Sequence, residues 1–254
     1  MTQESRRTQA QGRTVATVDG LGHAFGDVTV FRDVSFEVSE GTMTTLVGPN
    51  GSGKTTLLRI VAGLLSPTDG TVEVTSRSGR AVGYLPQQPS FRPVFTVEET
   101  LRFYADLLPT DVDVAAAIER VGLAGARDRN VDALSGGMRR LLGIAQATLG
   151  DPSLVLLDEP TGDLDPRMTE YVFEVLVDLA ESGMAIVLAT HNLLGAENAD
   201  DVVLLDRGRI VVSGPPDEFV AEADADSLAE AFRHYVSGDT DLTVRSGTAG
   251  GEGQ

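Results

Sequence analysis

Apolar residues run through this chain in two rhythms, and the change of rhythm marks a change of element. Short apolar or alternating runs at Val15–Val18, Val28–Phe31, Val34–Val38, Met43–Val47, Thr71–Val74, Ala81–Leu85, Ser153–Leu157, Ala185–Ala189, Val202–Leu205 and Ile210–Val212 are predicted as β-strands. A turn is expected near Gly20-Leu21-Gly22, punctuation at Gly63–Gly70, and a hairpin around Asp206-Arg207-Gly208-Arg209. Leu57-Leu58-Arg59-Ile60-Val61 follows a strand directly and is predicted as a helix. From Thr96 to Gly150 the rhythm becomes helical throughout. Thr96-Val97-Glu98-Glu99 is a capping box opening a helix that runs to Leu107-Leu108 and is ended by Pro109. Asp113–Val121 is a second helix, and Ala133–Met138 introduces a third with Leu141, Leu142, Ala145 and Leu149 on one face. Asp217 to about Tyr235 reads as an acidic helical segment. Residues 1–13 and 236–254 lack periodicity and are predicted disordered. The pattern implies one α/β domain over residues 14–235, with a helical subdomain at about 96–150 inserted between strands.

One junction carries chemistry. Between the strand Met43–Val47 and the following helix stands Gly48-Pro49-Asn50-Gly51-Ser52-Gly53-Lys54-Thr55-Thr56. Glycines at this spacing let backbone N–H groups wrap an anion, and the helix points its positive end at it. A nucleoside triphosphate is the expected ligand, with Lys54 reaching the β- and γ-phosphates, Thr55 holding Mg²⁺ and Thr56 adding a phosphate contact. Lys54 is also the only lysine in the sequence. The buried strand Ser153–Leu157 ends in Asp158-Glu159, where Asp158 would hold Mg²⁺ and alternation would turn Glu159 the other way, toward an attacking water. Ser135-Gly136-Gly137 can cap a helix and offer N–H groups to an anion, or be a plain cap. Phe25, upstream of the loop, is either an adenine platform or an ordinary core residue, and Gln87, at a strand end, either a Mg²⁺ or water ligand or a solvated side chain.

Composition narrows the class. The formal net charge is −18 from 38 acidic and 20 basic residues, which argues against nucleic-acid binding. Such a surface suits a high-salt cytoplasm, although a lysine-poor codon bias would give the same composition. Without cysteine there is no disulfide, thiolate metal site or Cys nucleophile. No apolar run approaches a membrane span and Met1–Arg13 is polar, so a soluble, cytoplasmic protein is expected.

Five motifs then fall in order: Gly48–Thr56, Leu134-Ser135-Gly136-Gly137-Met138, Leu154–Glu159, Gly162-Asp163-Leu164-Asp165 and Thr190-His191. From about Val15 to Gly214 the sequence resembles the nucleotide-binding subunit of an ABC transporter, in which these are Walker A, signature, Walker B, D-loop and switch histidine. The resemblance implies a P-loop NTPase (RecA-like) fold, with a mainly parallel sheet core, an N-terminal antiparallel β subdomain and the inserted helical subdomain. It implies a head-to-tail dimer, with a homodimer expected, sandwiching two ATP molecules. Phe25 would stack on adenine, Gln87 would sense Mg²⁺ and couple to a separate transmembrane permease, and Ser135, Gly136 and Gly137 would bind the opposite γ-phosphate. Asp158 would bind Mg²⁺ through water, Glu159 would be the base, His191 would contact the γ-phosphate, and Asp163 and Asp165 would belong to the D-loop. The chain would lie on the cytoplasmic face of the membrane. Met138 stands where Gln is commonest, and Asn192 where Asp or Glu often follows the histidine. Met138-Arg139-Arg140 and the approach to Gln87 look most like the ABC-2-type exporter branch; the alternative is a soluble, non-transport ABC ATPase.

Overall fold

The computed structural model describes residues 12–76 and 80–236. The predicted disordered ends therefore lie outside the described residues, except for Gly12 and Arg13, which lead into the first strand, and Val236, which closes the last helix. A three-stranded antiparallel sheet, β2-β1-β4, is built from β1 (Thr14–Phe25), β2 (Val28–Ser39) and β4 (Asp69–Val74). The expected turn at Gly20–Gly22 is instead a pair of register shifts inside one long strand, between Val18 and Leu21 and between Leu21 and His23. Leu21 is fully buried there, so the irregularity aims a side chain into the core rather than reversing the chain. Reversal comes at Gly26-Asp27, which leaves Phe25 paired with Val28 at the tip.

The second sheet has the order β5-β6-β7-β3-β8-β9, with β3 (Met43–Val47), β5 (Val82–Leu85), β6 (Leu154–Asp158), β7 (Ala185–Thr190) and β8 (Asp201–Asp206) parallel and β9 (Arg209–Gly214) antiparallel at the edge. Every residue of β3, β6 and β7 is buried, as expected for strands covered on both faces. Alternation distributes them between two cores: Leu154 and Leu156 pack with Phe31, Leu46 and Leu57, whereas Val155 and Leu157 pack with Leu101, Ile118 and Leu142 of the helical segment.

The helices are α1 (Lys54–Val61), α2 (Val97–Ala105), α3 (Val114–Arg120), α4 (Gly136–Thr148), α5 (Pro166–Glu181), α6 (Leu193–Glu197), α7 (Pro216–Glu222) and α8 (Leu228–Val236). The capping box of α2 is present: Thr96 Oγ1 accepts from Glu99 N at 3.1 Å and Glu99 Oε2 accepts from Thr96 N at 2.9 Å. This helix stops at Ala105, short of Leu108, because its final turn tightens to i,i+3 bonds (Leu107 N to Tyr104 O, Leu108 N to Ala105 O) ahead of Pro109. The acidic C-terminal segment is two helices, broken at Asp224, whose φ is 48°. Helix α5 is absent from the expected elements, although Pro166 at its start and Asp165 as its cap mark it plainly.

Candidate active site

Among the candidates, the loop Gly48–Thr56, Asp158, Glu159 and His191 meet at the carboxyl ends of β3, β6 and β7. The chain leaves β3 into a loop whose first residue must be glycine: Gly48 has φ 155°, and a Cβ there would lie 2.0 Å from the carbonyl oxygen of Leu205. Pro49, Asn50 and Gly51 are exposed on the loop, Ser52 is buried, Gly53 is half-buried with φ 105°, and α1 begins at Lys54. Lys54 is 7% exposed, and its Nζ donates to the carbonyls of Gly48 (2.7 Å) and Pro49 (3.1 Å). Burial lowers its pKa, opposed by the charges of Glu159 and Asp158. Thr55 and Thr56 sit half-buried in the first turn of α1.

Asp158 ends β6 with 1% exposure, and Thr55 Oγ1 donates to its Oδ1 at 3.0 Å. Burial raises the Asp158 pKa, and the Thr55 hydrogen bond pulls it back. Glu159 does not reach its position by strand alternation. Its φ is 50°, a left-handed backbone that costs a non-glycine residue about 1–2 kcal/mol. Its N–H still donates to Ala189 O at 2.8 Å, so the ladder with β7 continues one residue beyond the strand. The side chain is thereby delivered to the end of β7, where both carboxylate oxygens lie 3.0 Å from His191 Nδ1 and Thr190 Oγ1 donates to Oε2 at 3.4 Å. An Nδ1 facing two acceptors carries the hydrogen, which makes Nε2 the acceptor of the neutral ring. The Asn192 N–H donates to Thr190 Oγ1 at 3.0 Å, so backbone rather than the missing carboxylate orders this corner.

The remaining candidates make no hydrogen bond to this centre that the structure shows: Phe25 is 56% exposed at the tip of β1, with the His23 ring edge-on at 4.6 Å and 83°. Gln87 is exposed just past β5. Ser135 caps α4, accepting from Met138 N at 3.2 Å, a bond that uses backbone and is indifferent to the Met138 side chain. The two signature glycines differ. A Cβ on Gly136 would meet nothing within 4 Å, whereas one on Gly137 would lie 2.6 Å from Met168 Cγ. Gly136 keeps space open to solvent; Gly137 lets α5 pack against α4. Asp165 caps α5, accepting from Met168 N at 3.0 Å, and Asp163 takes a positive φ of 62° before it.

Sequence reasoning missed Thr190 as a partner of Glu159, His23 behind Phe25, and Arg140, whose Nη1 donates to Gln87 O at 2.9 Å. His23 alone had a signal, since i and i+2 share a strand face; the other two are long-range pairs.

Whether Mg²⁺ fits can be judged from the donors. Among the described residues no group of three or more His, Cys, Asp or Glu could hold a metal by itself. One carboxylate and one hydroxyl 3.0 Å apart, both hard oxygens beside a phosphate loop, form the small protein contribution that Mg²⁺ takes when phosphates and water complete its shell. The residues fit.

A phosphate loop at a strand end, a buried Asp beside its threonine, and a Glu–His pair on the next strand define a nucleotide triphosphatase of the P-loop class. The chain belongs to the ABC transporter family, whose profile matches residues 31–162. It is similar to the Nod factor export ATP-binding protein I of Ralstonia nicotianae, 34% identical over 232 residues that cover 86% of this chain and 72% of that protein. It is 30% identical to ABC transporter G family member 23 of Dictyostelium discoideum, over 91% of this chain but only 35% of that longer protein. Among solved structures, an ATP-binding subunit of an ABC transporter superposes with a TM-score of 0.75 at 28% identity, covering 87% of this chain and 99% of the other. The protein is an ABC transporter ATPase subunit. None of its described helices is long and apolar enough to cross a membrane.

Proposed function

We propose that two copies of this chain close head to tail around ATP and drive a separate membrane-spanning permease from its cytoplasmic face, in the export direction. The observation that carries this is the division of labour between neighbouring carboxylates: Asp158 is bound to Thr55 at the phosphate loop, and Glu159 to His191 across the strand gap. In this reading the loop Gly48–Thr56 cradles the phosphates, Phe25 stacks on the base, and Lys54 leaves the Gly48 and Pro49 carbonyls for the β- and γ-phosphates. Thr55 and Asp158, with Gln87, would hold Mg²⁺, which when bound offsets phosphate charge. Glu159 takes the proton of the attacking water; His191 orients Glu159 through its Nδ1–H, and holding the γ-phosphate from Nε2 requires the doubly protonated ring, in which both nitrogens donate. Exposed Ser135 and Gly136, with the buried Gly137 behind them, present the N-terminus of α4 to the ATP of the partner copy. Export is favoured by the likeness to Nod factor export ATP-binding proteins. The acidic, lysine-poor surface suits a salt-rich cytoplasm.

The test is an affinity capture of the Glu159→Gln variant from solubilised membranes with ATP present. A multispanning membrane protein recovered with it is the expected result. Recovery of soluble partners alone, with ATP-dependent dimers still forming, would move the function to a non-transport ATPase.

A further inference from the structure

Helix α4 and the segment leading to Gln87 are fastened together along their length. A Cβ on Gly83 would meet Ala147 O at 1.9 Å and one on Gly143 would meet Leu85 Cδ1 at 2.5 Å, so glycines on both sides permit near contact of helix and strand. At one end the Arg80 guanidinium donates to Leu149 O (2.8 Å) and Gln146 O (3.3 Å). At the other, Arg140 Nη1 donates to Gln87 O at 2.9 Å. This last bond spans 53 residues of sequence and fixes the main chain of the one loop residue expected to reach the metal. Arg140 is half-buried, and its charge is felt by Asp163, Glu159 and Asp158.

We infer that Arg140 is a positioning residue: it clamps the Gln87 carbonyl so that the Gln87 amide is held toward the metal site, and it ties that loop to the helix that begins with Ser135. The inference rests on the proposed role of Gln87 toward Mg²⁺. Two effects of removing Arg140 have opposite sign, which makes the role separable from simple electrostatics. Deleting a positive charge near Asp158 and Glu159 would tighten binding of a divalent cation; releasing Gln87 would weaken it.

The experiment is a double-mutant cycle on the full chain with Arg140→Met and Gln87→Ala, reading Mn²⁺ affinity by electron paramagnetic resonance in the presence of a non-hydrolysable ATP analogue. Each single variant is expected to weaken Mn²⁺ binding by about 10–100-fold, and the double variant no further. Arg140→Gln, neutral but still an N–H donor, loses the charge and keeps the clamp, so it is expected to bind Mn²⁺ at least as tightly as wild type, and it also serves if Arg140→Met does not fold. Unchanged or tighter Mn²⁺ binding in Arg140→Met while Gln87→Ala weakens it, additive losses, or an Arg140→Gln variant as weak as Arg140→Met would each overturn the inference and leave the Gln87 reading standing. Gln87→Ala without effect would remove that reading itself.

Discussion

Asp158 and Glu159 are neighbours with different partners, Thr55 for the first and His191 for the second. Burial raises the Asp158 pKa above the ordinary 3.8, so the folded chain keeps that proton to higher pH than the unfolded chain does. Its contribution is therefore most favourable below about pH 4 and is lost as pH rises through the raised value. In metal-free buffer Asp158→Asn should melt at the wild-type temperature in acid and above it near neutrality, by about 2–4 °C for each 1 kcal/mol, while losing Mg²⁺-dependent hydrolysis. A calorimetric pH series measures this, and equal melting at pH 4 and pH 7.5 would contradict it. Glu159, held at φ 50° with its oxygens on His191, is placed for proton transfer rather than metal binding. Glu159→Gln should lower kcat by about 10²–10⁴-fold with ATP affinity kept within a few-fold, measured by single-turnover hydrolysis beside equilibrium binding.

Helix α4 shows why elements with local signals were legible and their partners were not. Ser135, the glycines and the apolar spacing of Leu141, Leu142 and Ala145 announce its start and buried face within a few residues of sequence. Nothing local says that Gly137 lies against Met168, or that Arg140 reaches a carbonyl 53 residues upstream. Likewise Gly20 and Gly22 look like punctuation in the sequence, whereas pairing on both edges, to β2 and β4, carries strand β1 through them. The division between the signature glycines is testable at this scale. Gly137→Ala should destabilise the fold by about 1–3 kcal/mol and be rescued by Met168→Ala. Gly136→Ala should leave stability unchanged or raise it by up to about 1 kcal/mol while impairing ATP-driven dimerisation. Denaturant melts with and without ATP distinguish the two; equal destabilisation by both substitutions would refute the assignment.

For the whole molecule, family and fold were legible because three of the five motifs, Gly48–Thr56, Leu154–Glu159 and Thr190-His191, stand at the ends of neighbouring parallel strands, while the other two open helices α4 and α5. Their spacing in sequence says nothing of the angle between helical and catalytic parts, which packing sets. The charge of −18 acts at this scale too. Self-repulsion at low ionic strength should make the melting temperature rise as KCl goes from about 0.05 to 1 M, most steeply while the Debye length shrinks from above 10 Å to about 3 Å. A flat or falling profile would show that the acidic surface serves solubility alone.

The solitary lysine has an analytical consequence. Apart from the chain's amino terminus, Lys54 carries the only amine in the protein, and burial lowers its pKa while its Nζ sits on the loop carbonyls. Amine acylation read by peptide mass therefore yields one side-chain adduct, on the peptide carrying Lys54 and separate from the amino-terminal one, and its suppression by ATP becomes an occupancy assay for the phosphate loop.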